Sequence, residues 1–143
     1  MIPRAMKRAE HAQKESIRGK NTGTRATEVL ELIHSDIRQT ESLGRKKYFI
    51  SFIDDYTRKA TVYVIRNKSE AVDKFKQFKL MAEKQTGMVI KKLRTDNGLE
   101  YCAAEFEKIL RESGIVHQKT APYTSQQNGV AERFNRTIMD KVR

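Results

Sequence analysis

The sequence predicts an α/β protein in which a five-stranded mixed sheet carries helices on both of its faces. Three observations support this fold class. Three short apolar segments come first, two further strand-like segments alternate with helical patterns, and turn-forming residues separate most of them. With 143 residues, of which 38% are hydrophobic, the chain has the size and composition of a single folded domain.

The first 28 residues are expected to form a basic arm and not a folded unit. They contain seven basic and three acidic side chains and almost no large apolar residue. The folded domain is therefore expected over residues 29–143, with a last helix that the end of the chain truncates.

The first strand is expected over residues 29–37, with Asp36 near its end. Because side chains alternate along a strand, Leu30, Leu32, His34 and Asp36 should share one face.

A central hairpin is predicted from residues 48–53 and 60–65, which are rich in β-branched and aromatic side chains. The polar segment 54–58 between them is typical of a tight turn. Asp54 and Asp55 are expected to serve that turn, with metal binding as the less favoured alternative.

A long helix should begin at Ser69 as its N-cap and end at Gly87, because apolar residues between them recur at helical spacing. A strand over residues 89–95 should then end at the turn Asp96-Asn97-Gly98. A second helix around Phe106, a strand over residues 115–120 and a last helix from Val130 complete the pattern.

The net charge of +11 arises from 29 Lys and Arg against 18 Asp and Glu, and it favours a polyanion such as DNA as partner. A solvated cationic surface without a specific ligand is the alternative. The single cysteine, Cys102, cannot form an internal disulfide, which is typical of an intracellular protein. No segment has the apolar length needed to cross a bilayer, so no membrane partner is expected.

Three carboxylates stand at positions suited to catalysis: Asp36, Asp96 at the end of a later strand, and Glu132 in the first turn of the last helix. Carboxylates from different elements are natural ligands for Mg²⁺. Two such ions can assist the cleavage of a phosphodiester. Taken singly, each acid is more often a turn former or helix cap.

The sequence around these acids resembles the integrase core of copia-type LTR retrotransposons from about residue 27 to the end. The matching segments are LELIHSD (residues 30–36), YFISFIDDYTR (48–58), LRTDNG (93–98) and PYTSQQNGVAER (122–133). Asp96 and Glu132 are separated by 35 residues, the interval that characterises this superfamily. Leu99 and the segment Ile37-Arg38-Gln39 depart from the usual pattern and are expected to perturb the metal site.

The resemblance implies an RNase H-like fold, two Mg²⁺ or Mn²⁺ ions held by Asp36, Asp96 and Glu132, and a polynucleotidyl transferase without a covalent protein intermediate. Its substrates would be element ends and target DNA, and its state a homo-oligomer in a cytoplasmic particle and the nucleus. Gln13 and Ser16 stand where the family's paired cysteines would be expected, so no zinc site is predicted.

Candidate DNA contacts lie in the polar loop and on the last helix. At about 100° per residue, Glu132, Arg136 and Arg143 share one side of that helix, opposite Phe134, Ile138 and Val142. A solvated charged helix face is the alternative for each residue. His34 and His117 are expected to be packing or loop residues. The candidate contacts are Gln126, Gln127, Asn128, Arg133, Arg136, Lys141 and Arg143.

Three functions follow from these patterns. The first is an active integrase core that processes 3′ ends and transfers strands. The second is a truncated, inactive remnant that still binds DNA. The third is a general RNase H-type nuclease acting on RNA–DNA hybrids, against which the long polar loop before Glu132 argues.

Overall fold

The computed structural model describes residues 25–42, 44–120, 130 and 133–137. It contains five strands: β1 (Leu32–Ser42), β2 (Arg45–Asp54), β3 (Ala60–Ile65), β4 (Lys92–Thr95) and β5 (Val116–Lys119). A 3-10 helix (Lys68–Glu70) leads into α1 (Ala71–Thr86), and two further helices are α2 (Leu99–Cys102) and α3 (Ala104–Glu112). Residues 133–137 are also helical.

The strands form one mixed sheet in the order β3-β2-β1-β4-β5. Strands β1, β2 and β3 are antiparallel neighbours, whereas β4 runs parallel to β1 and to β5. The predicted five-stranded mixed sheet is therefore confirmed. Its central strand, β1, has the hairpin on one side and the parallel strands on the other.

The core lies between the sheet and α1. Phe52 of β2 is fully buried, its ring stacks on Phe78 at 4.7 Å between centroids, and Phe75 lies 5.9 Å away. On the opposite face, Asn135 from the helical segment 133–137 contacts Ser51 of β2. The sheet thus carries helical structure on both faces, as the sequence predicts.

The first strand differs from the prediction at both ends. Leu30 has a φ of +67°, a left-handed conformation that strands do not adopt, so it does not extend the face of Leu32, His34 and Asp36. At the other end, pairing with β2 extends β1 through Ser42. Asp36 therefore lies in the middle of β1 and not near its end.

The beginning of the first helix is also corrected. Ser69 lies inside the 3-10 helix, whose N-cap is Asn67, and Glu70 is the N-cap of α1. The Glu70 carboxylate accepts hydrogen bonds from the backbone amides of Arg66 and Asn67, at 2.7 and 2.8 Å, which satisfies donors that a helix leaves unpaired at this end. The predicted end at Gly87 is confirmed, with a φ of +71°.

In the second half of the chain, β4 begins at Lys92, three residues later than predicted, and the short helix α2 was not predicted. The helix around Phe106 and the strand before Thr120 are confirmed. Within the described ranges, none of the helices has the length and apolarity required to span a bilayer.

Asp54 and Asp55 serve the turn after β2, as predicted. Asp54 accepts hydrogen bonds from the amide of Leu30 at 2.8 Å and from the amide and hydroxyl of Thr57, both at 2.8 Å. Asp55 accepts from the Ala26 amide and is bonded to His34 Nε2, both at 2.7 Å. These bonds tie the chain leading into β1 to the hairpin, and they account for both carboxylates without a metal.

This arrangement makes folding depend on pH. Burial alone would raise the pKa of Asp55, but the hydrogen bonds from His34 and Ala26 and the nearby positive charges of His34 and Arg58 lower it from 3.8 to about 2. Because the pKa of Asp55 is lower in the folded protein, its charged carboxylate stabilises the fold at every pH above the pKa of the unfolded chain. This stabilisation is lost as the pH falls through the pKa of Asp55 in the folded protein. We expect the free energy of unfolding, measured by denaturant titration, to fall by about 2 kcal/mol as the pH drops from above 3.8 to below about 2.

The matched control for this prediction is Asp73→Asn, because Asp73 is an exposed residue of α1. In Asp55→Asn the free energy of unfolding should depend less on pH in the acid range. In Asp73→Asn this pH dependence should be the same as in the unmodified protein. An Asp55→Asn variant with the same pH dependence as the unmodified protein would show that another carboxylate is responsible.

Candidate functional site

Asp36 is the buried carboxylate at the centre of the candidate site, with 3% of its surface exposed. Its Oδ1 accepts the backbone amide of Ile37 at 2.9 Å. Its Oδ2 accepts Asn135 Nδ2 at 2.8 Å and pairs with Arg38 Nε at 2.9 Å. Neighbours from β1 and from the helical segment 133–137 therefore hold the Asp36 side chain in one orientation.

Asp96 follows β4 directly and is exposed. The parallel pairing of β4 with β1 ends where His34 lies opposite Arg94, two residues before Asp36 on β1 and two residues before Asp96 after β4, and the charge of Asp96 acts on Asp36. Neighbouring strands are about 4.8 Å apart, so the two acids lie close together. The structure thus brings together two of the three predicted acids, and Glu132 lies outside the described residues.

Gly98 lies close to the Asp96 carboxylate in the turn that follows β4. The Gly98 amide donates to Asp96 Oδ1 at 2.8 Å. A β-carbon at this position would lie 2.9 Å from Asp96 Oδ1 and 2.8 Å from Glu100 Oε1, closer than real β-carbons approach such atoms. A larger residue here would therefore displace the flexible ends of the Asp96 and Glu100 side chains.

The two acids influence each other electrostatically. Burial raises the pKa of Asp36, and the charge of Asp96 raises it further, against the lowering effects of Arg38, Asn135 and the Ile37 amide. Burial also raises the pKa of Tyr101, whose hydroxyl lies 2.9 Å from Ser35 Oγ, and the charges of Asp36 and Asp96 both add to that rise. The two carboxylates therefore lie close enough for the charge of Asp96 to act on Asp36, and for both charges to act on Tyr101.

This donor set is suited to a divalent cation. Hard cations such as Mg²⁺ bind carboxylate oxygens, and a nearby cation would relieve the repulsion between Asp36 and Asp96. Among the described residues, no group of three or more His, Cys, Asp and Glu side chains is placed to hold a metal. The described part of the chain thus offers two carboxylates, Asp36 and Asp96, that could bind such a cation.

A hydrogen-bonded network that the sequence did not predict holds the backbone carbonyl of Asp96. The buried Thr95 hydroxyl donates to the Asp96 carbonyl at 2.8 Å and lies 2.7 Å from His117 Nε2. His117 Nδ1 is 3.1 Å from the Glu107 carboxylate. Burial lowers the pKa of His117, although Glu107 opposes the change.

The structure describes only part of the predicted DNA-contact set. Arg133 and Arg136 are exposed on the helical segment 133–137. The sequence predicted that the side of this helix with Phe134 would be buried. In the structure Asn135 is the buried residue of the segment, with 2% of its surface exposed, and Phe134 is only partly buried. The other candidates lie outside the described residues: Gln126, Gln127, Asn128, Lys141 and Arg143.

The two histidines lie where packing was predicted. His34 is buried and bonded to Asp55, and His117 belongs to the network behind Asp96.

Leu99 and the segment Ile37-Arg38-Gln39, which depart from the sequence pattern of copia-type integrase cores, differ in their contact with the two acids. Leu99 begins α2 with 86% of its surface exposed. Arg38, in contrast, contacts Asp36 directly and places a positive charge at the carboxylate that the resemblance assigns to the metal.

Comparison with protein families and relatives gives a consistent result. The family described as Integrase core domain matches residues 26–125. The retrovirus-related Pol polyprotein from transposon TNT 1-94 of Nicotiana tabacum is 47% identical over 122 residues, which are 83% of this chain and 9% of that protein. The Pol polyprotein from transposon RE2 of Arabidopsis thaliana is 31% identical over 122 residues, 84% of this chain and 8% of that protein. The chain thus spans less than a tenth of either relative.

Solved structures share the fold. A chain of the simian T-cell lymphotropic virus intasome in complex with the PP2A regulatory subunit B56 gamma superimposes with a TM-score of 0.70 at 22% identity, over 83% of this chain and 43% of that chain. The HTLV-2 integrase catalytic core domain in complex with magnesium, in its trimeric form, gives a TM-score of 0.65 at 19% identity, over 81% of this chain and 71% of that chain.

Proposed function

Because this chain belongs to the integrase core domain family, we propose that it cuts and joins DNA as the catalytic core of a retrotransposon integrase. It would remove nucleotides from the 3′ ends of element DNA and transfer the freed ends into target DNA. The observation that carries this proposal is the closeness of Asp36, on β1, to Asp96, which directly follows the parallel neighbouring strand β4.

Mg²⁺ or Mn²⁺ would be held by Asp36, Asp96 and Glu132. Support for Glu132 comes from its place in the sequence three residues before Asn135, whose side chain reaches Asp36. When bound, two such ions activate the attacking oxygen and stabilise the leaving oxygen of a phosphodiester. The solved neighbour with magnesium supports the choice of metal.

The residues of this chain have separate tasks in the proposed reaction. Asn135 and the Ile37 amide orient the Asp36 carboxylate, and Thr95 fixes the backbone that carries Asp96. The nucleophile is water in end processing and the freed 3′-hydroxyl in strand transfer, so the protein forms no covalent bond to DNA. We propose that Arg133 and Arg136 contact phosphates, because both are exposed near Asn135.

The remaining DNA contacts and the assembly are part of the same proposal. The loop residues Gln126, Gln127 and Asn128 would contact bases or sugars, and Lys141 and Arg143 would contact phosphates. A homo-oligomer is proposed because solved neighbours include an intasome and a trimeric core.

Removal of metal provides the test. Labelled duplexes with element-end sequences should be shortened at the 3′ end and joined to other duplexes in Mg²⁺ or Mn²⁺, and a chelator should abolish both products. Salt-sensitive DNA binding without any metal-dependent product would favour the inactive remnant instead. Release of ribonucleotides from an RNA–DNA hybrid, without joined DNA, would favour the RNase H-type nuclease.

A further inference from the structure

The hairpin of β1 and β2 extends beyond the rest of the sheet. Its ladder runs from Ile33↔Asp54 to Ser42↔Arg45, whereas β3 pairs only as far as Tyr48, and the β4 pairing on the other side stops at His34. We call residues 38–42 and 44–47 the β1–β2 arm. Beyond Gln39, no other described strand pairs with it. The arm begins two residues after Asp36 and projects past the carboxylate pair.

Register assigns the side chains of the arm to its two faces. Residues directly opposite each other on paired strands point to the same face of a sheet, and successive residues alternate between faces. Asp36 pairs with Ser51, Arg38 with Phe49, and Thr40 with Lys47. The face that carries Asp36, here the front face, therefore also carries Arg38, Lys47 and, two residues before Lys47, Arg45.

Charge is distributed unequally between the two faces. The front face has three cations, and Arg45 and Lys47 are both exposed. Within the described part of the chain, neither of these two side chains forms an ion pair. On the back face, Lys46 lies directly opposite Glu41, so their charges offset each other. Positive charge is thus concentrated on the face that holds the catalytic carboxylate.

We propose that the front face of the β1–β2 arm binds the phosphate backbone of duplex DNA beside the Asp36–Asp96 pair, an inference that rests on the proposed function. At about 3.3 Å per residue, the front-face positions from Arg38 to the level of Arg45 span about 13 Å. One DNA strand carries a phosphate for about every 3.4 Å of helix axis, so a row of this length is long enough for its three cations to reach separate phosphates. Arg38, paired with Asp36, connects the row to the site.

The matched variants are Lys47→Gln and Lys46→Gln, which are neighbours in sequence, lose the same charge and lie on opposite faces. Duplex binding is measured across a salt series by fluorescence anisotropy. Lys47→Gln should weaken binding about five- to tenfold near 0.1 M salt and reduce the slope of log affinity against log salt by about 0.9. Lys46→Gln should change the affinity less than twofold, and Arg45→Gln should behave like Lys47→Gln.

Equal effects of Lys47→Gln and Lys46→Gln would overturn the inference, because the arm would then act only through overall charge. A larger loss of affinity for single-stranded RNA than for duplex DNA would overturn the choice of partner. The proposed function is tested separately. If the unmodified protein makes joined DNA and Lys47→Gln leaves the salt slope unchanged, only the arm is wrong. If the arm variants weaken binding but no metal-dependent product forms, only the catalytic proposal is wrong.

Discussion

Asp96→Asn should lower the yield of joined DNA by more than about 100-fold, since changes to groups that merely support a metal ligand already cost ten- to 100-fold. The substitution keeps the shape of the side chain and an oxygen that can accept the Gly98 amide, so the turn should survive. What it removes is the negative charge that faces Asp36 and that would hold a divalent cation. Product is measured from labelled duplexes and Mn²⁺ affinity by calorimetry.

The control is again Asp73→Asn, which removes the same charge from an exposed position on α1. It should leave the yield of joined DNA and the Mn²⁺ affinity unchanged. If Asp96→Asn and the unmodified protein gave equal product, Asp96 would not be a catalytic residue, and the integrase activity proposed for this chain would have to be abandoned.

Phe52→Ala should destabilise the domain by about 3–5 kcal/mol, the usual cost of removing a buried aromatic ring. Phe52 is fully buried, and its ring contacts three other rings, those of Tyr63, Phe75 and Phe78. Domains of this kind are stable by about 5–15 kcal/mol, so the variant should lose a large part of its stability. The free energy of unfolding is measured by denaturant titration.

Val64→Ala is the comparison for that experiment, because Val64 is 69% exposed on the edge strand β3. It should change the free energy of unfolding by less than about 0.5 kcal/mol. A Phe52→Ala variant that is no less stable than Val64→Ala would mean that the stacked rings are not the centre of the core.

Much of the fold follows from local patterns in the sequence. The β-branched and aromatic residues of β3 and the helical spacing of Val72, Phe75 and Phe78 are local signals, and the structure places both elements as predicted. The closeness of Asp36 and Asp96 required one further assumption, that their strands are neighbours, and the β1–β4 pairing confirms it.

The features that were missed depend on contacts between distant parts of the chain. The extension of β1 through polar residues to Ser42 comes from its pairing with β2, since these residues lack an apolar alternation of their own. Asn135 carried one usable signal, its place one helical turn after Glu132, but its contact with Asp36 crosses 99 residues. The network of Thr95 and His117 likewise joins two strands that only the folded sheet brings together.

The close passage of the chain at Gly98 gives a rule for judging related element sequences. A β-carbon at this position would meet the carboxylate ends of Asp96 and Glu100, so these flexible side chains would have to shift while Asp36, Asp96 and Glu132 stay unchanged in the sequence. A copy that retains all three acids but has lost this glycine should therefore be tested for a displaced Asp96 carboxylate before it is counted as intact. A change at the exposed Leu99 next to it carries no such information.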